Sequence, residues 1–167
     1  MITTVVAGNP KPDSRTLAAA RLLAELITGT VPDHVVDVIT LGPGLLGWGD
    51  PAVADAVATV KASDLLVVAS PTYKASYTGV LKLFLDQFET AAGLSSSVAV
   101  PLMLGAGPGH AMAPDLLLKP VLVELGATVP SQGLYLLDSS AQDAESSATW
   151  RDRWASDILA SASARLA

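Results

Sequence analysis

The chain has 167 residues, enough for one domain with a full core, and half of it is hydrophobic, much of that Ala, Leu and Val. Ten Lys and Arg against sixteen Asp and Glu leave a net charge of −6, which argues against nonspecific nucleic-acid binding. There is no cysteine, so disulfides, iron–sulfur clusters, zinc–thiolate sites and thiol chemistry are excluded.

The first predicted strand is Ile2–Ala7. No basic segment and apolar stretch precede it, so no signal peptide is expected. Ser14–Ile27 follows as a helix, then a strand over His34–Ile39, a loose segment from Gly42 to Gly49, and a helix over Pro51–Lys61. Asp64–Ala69 is the third strand and Thr78–Ala91 the third helix. Ser97–Leu104 is the fourth strand, His110–Leu125 a helix, and Thr128–Val129 with Gly133–Leu137 the fifth strand. Asp143–Leu166 closes the chain as a helix. The strands read as continuous apolar runs, the pattern of strands covered on both faces. Strand–helix alternation implies right-handed crossovers and a doubly wound parallel sheet, a flavodoxin-like α/β domain of order 2-1-3-4-5. Apolar runs such as Leu65–Ala69 fall far below the ~20 residues that span a bilayer, so a cytoplasmic protein without membrane contact is expected. Trp150, Trp154 and Ile158 lie at i, i+4 and i+8 and predict a core-facing stripe. Trp48, among glycines, reads first as a cap on the fold or a subunit contact, with ligand stacking as the other reading.

In open α/β sheets ligands sit at the carboxyl ends of the strands, and three loops there carry the chemistry. The first is Gly8-Asn9-Pro10-Lys11-Pro12-Asp13-Ser14-Arg15-Thr16. Gly8 permits close backbone approach, the prolines fix φ, and Ser14 is placed to cap the following helix. The free N–H groups of that helix end, the Ser14 and Thr16 hydroxyls, and Lys11 or Arg15 suit a terminal phosphate. An ordinary capped turn fits the same residues. The loop is neither a P-loop nor a GxGxxG fingerprint.

The second loop, Ser70 to Gly79, offers hydroxyls, main-chain N–H groups and two aromatic rings through Pro71, Thr72, Tyr73, Lys74, Ser76 and Tyr77, suited to a flat ring with a polar edge. The third, Gly105-Ala106-Gly107-Pro108-Gly109-His110, places three glycines in five residues, so main chain can lie against a planar ligand. His110 is expected to open a helix as a neutral imidazole. Against these stand plainer readings: Tyr73 and Tyr77 as surface residues, His110 as a helix cap, Lys74 as a solvated side chain. With two histidines and no cysteine, no spacing calls for a metal.

These residues resemble the NADPH-dependent FMN reductases of the flavodoxin-like fold, most of all the branch that serves alkanesulfonate monooxygenases. The matching stretches are Ala7–Lys11 with Ser14-Arg15-Thr16, Pro71 to Asp86, Gly105 to His110, and Lys119 to Ala127. The resemblance covers nearly the whole chain. It implies that Gly8, Asn9, Lys11, Ser14, Arg15 and Thr16 hold the FMN phosphate end. Pro71, Thr72, Tyr73, Lys74 and Ser76 would line the ring, with Gly105, Ala106, Gly107 and His110 at its edge. It implies hydride transfer from NADPH, with NADH possible, to FMN. The two rings would be stacked with no catalytic side chain, and main-chain N–H groups would stabilise the charge. It further implies a homodimer or homotetramer, with a two-component monooxygenase as recipient of the reduced flavin. Two departures stand out. Gly107 replaces a usual Thr or Ser. Leu116 falls where that branch carries a Tyr in a local widening of the helix, which bears on whether flavin is exchanged or kept. The alternatives are an FMN-retaining quinone, azo or chromate reductase, and a flavin-binding electron carrier without nicotinamide turnover, whose acidic surface would dock a basic partner.

Overall fold

In the computed structural model, residues 1–164 are described. Five strands form one parallel sheet of order β2-β1-β3-β4-β5: β1 Thr3–Ala7, β2 His34–Asp37, β3 Leu65–Pro71, β4 Val98–Gly105 and β5 Leu134–Leu137. Helices α1 Arg15–Thr28 and α5 Glu145–Ser163 cover one face, and α2 Pro51–Lys61, α3 Gly79–Leu85 and α4 Lys119–Glu124 the other. Every residue of β1, β3 and β4 is buried, which is why these strands are mostly apolar and show no polar–apolar alternation; Thr3, Thr4 and Ser70 are the buried polar residues among them. Alternate residues feed opposite cores: Val5, Val67 and Val100 pack toward α1 and α5, Val6, Val68 and Met103 toward α3 and α4. Among the described residues no helix is long and apolar enough to cross a membrane.

The predicted order and elements hold, with shifts at the edges that have physical causes. β2 stops at Asp37, opposite the last residue of β1, because nothing remains for it to pair with; Val38 and Ile39 enter two short 3-10 turns that meet at a kink at Gly42 and reach Leu46. β3 runs two residues past Ala69, through Ser70 and Pro71, because β4 extends alongside it. α3 ends at Leu85 rather than Ala91. Past it the chain goes on in tighter turns, Gln87 N to Phe84 O and Phe88 N to Leu85 O, and the Ala91 amide reaches the Glu124 carbonyl instead of a helical one. Thr128 makes only an isolated bridge to Val98, and β5 proper begins at Leu134.

The helix expected over His110–Leu125 is three pieces: a 3-10 turn Pro108–His110, a π turn Pro114–Leu118 and α4. Pro120 has no N–H to offer the Leu116 carbonyl, so the α-helical ladder is broken at the widened turn. The widening is present without the tyrosine, and Leu116 at its centre is exposed. The last helix keeps its stripe: Ile158 is buried and Trp150 and Trp154 pack against the same core, while Leu166 lies outside the described residues. Trp48 does not cap the fold, being 78% exposed.

Pro101 stands inside β4 without breaking it. The amide of Val98 reaches Asp64 on the β3 side and that of Ala99 reaches Thr128 on the other. Alternation therefore aims position 101 at the stretch where β5 has not begun, so no ladder donor is lost. That stretch is held by side chains: Lys119 Nζ donates to Ser131 O, Trp150 Nε1 to Gln132 O, and Gly133 N to Asp115 Oδ1, at 2.8, 2.9 and 2.9 Å.

Candidate active site at the carboxyl edge of the sheet

The first loop leaves β1 at Gly8, whose amide donates to Ala69 O at 2.9 Å. A Cβ on Gly8 would lie 2.2 Å from Leu81 Cβ and 2.8 Å from Leu81 Cα, so only glycine lets β1 and α3 approach this closely. The Gly8 carbonyl accepts from the Thr78 hydroxyl. Thr78 also caps α3, accepting from Leu81 N at 3.2 Å, and its own amide donates to the buried Ser70 hydroxyl. One threonine thus ties the first loop to the second.

Ser14 caps α1 as expected, its Oγ accepting from Leu17 N at 3.2 Å. The Thr16 hydroxyl accepts from Asn9 Nδ2 at 3.0 Å, and Asn9 Oδ1 accepts from Lys11 N at 3.0 Å. Both buried hydroxyls are therefore used as acceptors, and their protons find no acceptor among the described residues. They stand at the positive end of a 14-residue helix, with Lys11 and Arg15 beside them. This donor set fits a terminal phosphate.

A cavity of about 270 Å³ opens here, walled by Asn9, Lys11, Ser14, Arg15 and Thr16 together with Pro71 and Tyr73 of the second loop. Asp13 and Asp138 also line it, and sequence reasoning missed both. Asp138 follows β5, a strand read only for its apolar pattern; its carbonyl lies 3.5 Å from Arg15 Nη1. Asp13 adopts φ 49° and gives its amide to Asp37 Oδ2 at 3.0 Å. Burial pushes the Asp37 carboxyl above its ordinary 3.8; the Asp13 amide draws it back, the Asp13 charge raises it and Arg21 lowers it.

The second loop folds as a tight turn. Tyr73 and Ser76 exchange main-chain hydrogen bonds at 2.8 and 3.1 Å, and Lys74 and Ala75 between them hold φ 51° and 69°. Two non-glycine residues in left-handed conformation mark strain of the kind that collects at functional sites. Lys74 and Tyr73 are exposed. Thr72 donates its amide to Leu104 O at 2.6 Å, and its Oγ1 is buried without a partner. A Cβ on Gly105 would come within 3.5 Å of that oxygen, so the second and third loops meet there. The buried, unanswered Thr72 hydroxyl and the bare main chain at Gly105 fit the polar edge of a flat ring.

The structure thus gathers Asn9, Lys11, Ser14, Arg15, Thr16, Pro71 and Tyr73 around one cavity. Gly8, Thr72, Lys74, Ser76, Gly105, Ala106, Gly107 and His110 belong to the surrounding loops rather than its walls. His110 does not open a helix; it is the exposed last residue of the 3-10 turn.

The NADPH-dependent FMN reductase family matches residues 1–142, which include all three loops. The chain belongs to that family. An FMN reductase (NADPH) of Pseudomonas putida is 32% identical over 153 residues, 87% of this chain and 75% of that protein. An NADH-dependent FMN reductase SfnF of Pseudomonas fluorescens is 29% identical, over 78% of this chain and 73% of that protein. The solved apo structure of an NADH:FMN oxidoreductase superposes with a TM-score of 0.81 at 30% identity, covering 97% of this chain and 88% of the other. As a member of this FMN reductase family, the chain is an oxidoreductase that pairs a nicotinamide nucleotide with FMN.

Proposed function

We propose that this NAD(P)H:FMN reductase holds FMN across the carboxyl ends of β1, β3 and β4, tail in the first loop and ring against the second and third. The observation that carries the reading is the pair of buried hydroxyls, Ser14 and Thr16, whose protons find no acceptor among the described residues, at the N-terminus of α1 in the cavity shared with Pro71 and Tyr73. Gly8 and Asn9 shape the first loop, and Lys11 and Arg15 neutralise the phosphate. Pro71, Thr72, Tyr73, Lys74 and Ser76 carry the ring face. Gly105, Ala106, Gly107 and His110 border its edge.

FMN, when bound, supplies the acceptor for a hydride from the reduced nicotinamide. The chain's part is to orient and to exclude water. It needs no side-chain acid or base, which accounts for loops rich in Gly, Ser, Thr and Pro. Steady-state oxidation of NADPH and of NADH with added FMN tests the reading. No FMN-dependent rate with either nucleotide would overturn it.

The wider setting we infer is a cytoplasmic homodimer or homotetramer that hands reduced flavin to a partner monooxygenase. The family resemblance supports the partner. Leu46, Trp48 and Leu83, exposed and bordering one groove, support association. Light scattering coupled to gel filtration tests the oligomer; a monomer at micromolar concentration would sink it. A second reading keeps FMN bound and passes electrons to another acceptor. It is favoured by an NADPH azoreductase of Bacillus sp., 29% identical over 65% of this chain and 62% of that protein. Flavin absorbance surviving purification and dialysis would support that reading, and its absence would remove it.

A further inference from the structure

The third loop is held from the side of β5 and the residue after it. The carbonyl of Gly105 accepts from Asp138 N at 2.9 Å, and the carbonyl of Gly107 accepts from the Tyr135 hydroxyl at 2.7 Å. The main-chain N–H groups of Ala106 and Gly107 take no partner among the described residues. Two of the loop's carbonyls are thus held from the β5 side, while the amides of Ala106 and Gly107 are left over. Tyr135 does more than bond. It stands opposite Met103 in the β4–β5 register, and its ring packs into the core on the α3 and α4 face. A Cβ on Gly105 would lie 2.0 Å from the Tyr135 oxygen and 3.0 Å from Cζ, so the hydroxyl fills the volume a side chain there would need. The buried, unpartnered Thr72 hydroxyl borders the same volume.

We propose that Tyr135 is a positioning residue for the flavin ring: by holding the Gly107 carbonyl and packing behind Gly105, its hydroxyl turns the third loop so that the free N–H groups of Ala106 and Gly107 serve the ring's polar edge. The proposal rests on the reading that FMN binds at this edge. Gly105 and Tyr135 act as a pair, glycine in front and hydroxyl behind. The phosphate end of the site, at Ser14 and Thr16, is independent of both.

Flavin-free protein is titrated separately with FMN and with riboflavin, which lacks the phosphate, and the visible spectrum of each bound flavin is recorded. Tyr135→Phe should weaken both flavins by the same factor, roughly three- to tenfold for one lost hydrogen bond, and shift the bound spectrum. Ser14→Ala should weaken FMN more than riboflavin and leave the spectrum alone. Should Tyr135→Phe fail to fold, Gly105→Ala carries the test, because its methyl must displace the hydroxyl; it should give the same equal loss and spectral shift. Adding Tyr135→Phe to Gly105→Ala should recover part of that loss. Wild-type affinity and spectrum in Tyr135→Phe, or in Gly105→Ala, would overturn the proposal while FMN binding by the unaltered protein keeps the functional reading. Failure of the unaltered protein to bind either flavin would overturn both.

Discussion

The hydroxyl of Thr78 donates to the carbonyl of Gly8 across 70 residues of sequence, and the same oxygen caps α3. Thr78 is 3% exposed, so neither partner can turn to water instead. Thr78→Val keeps the shape and strands both groups. It should cost about 2–3 kcal/mol of stability, measured by urea denaturation, and Thr78→Ser should recover most of it. A loss below about 0.5 kcal/mol would show that the two loops are not joined through this oxygen.

Ser14→Ala removes a helix cap and one donor toward the cavity. Stability should fall by about 1 kcal/mol, and FMN affinity by more than riboflavin affinity. Parallel titrations decide it. Equal losses for the two flavins would move the phosphate elsewhere.

Asp37 links pH to the stability of the first loop. Its carboxyl titrates above 3.8 in the folded chain, raised by burial first, so the folded state binds the proton more tightly than the unfolded one. The contribution of Asp37 is thus most favourable below 3.8 and is lost as pH rises through the folded value. Asp37→Asn still accepts the Asp13 amide but does not ionise. Its stability relative to wild type should rise between about pH 3.5 and pH 7 in denaturant melts. A difference that stays flat over that range would contradict the buried carboxylate.

Ala75 holds φ 69° at the tip of the second loop. Glycine adopts that conformation without the Cβ clash, at the expense of a freer unfolded chain. Ala75→Gly should gain up to about 1 kcal/mol in thermal or urea unfolding. Destabilisation would mean the turn is not strained.

A Cβ on Gly107 would meet nothing within 4 Å, and the φ of −157° there is extended backbone open to any residue. Gly107→Ser should therefore fold as wild type and, by adding a hydroxyl donor at the third loop, tighten FMN several-fold, on the order of one hydrogen bond. A weaker complex would place the ring edge away from this residue.

The sheet was legible because β1, β3 and β4 are buried on both faces and so are written mostly in Val, Leu and Ala, with no charged residue and only Thr3, Thr4 and Ser70 polar. The Ser14 cap on α1 was legible too, since it acts within three residues of its own turn. What escaped were the partners supplied from elsewhere in the chain. Tyr135 reads as one more apolar strand position, and only the register of β5 on β4 brings its hydroxyl to Gly107. Asp138 enters the cavity for the same reason. The break of the fourth helix was written at Pro114 and Pro120. It could be read from a missing donor, but periodicity alone hid it.

Pro101 has a further consequence. Because the strand offers no hydrogen there, Ser131, Gln132 and Gly133 are gripped in succession by Lys119, Trp150 and Asp115. Those side chains come from both outer layers. The three grips make a seam along the far margin, fastening one layer to the other. With it closed, α5 and α4 must shift together or not at all.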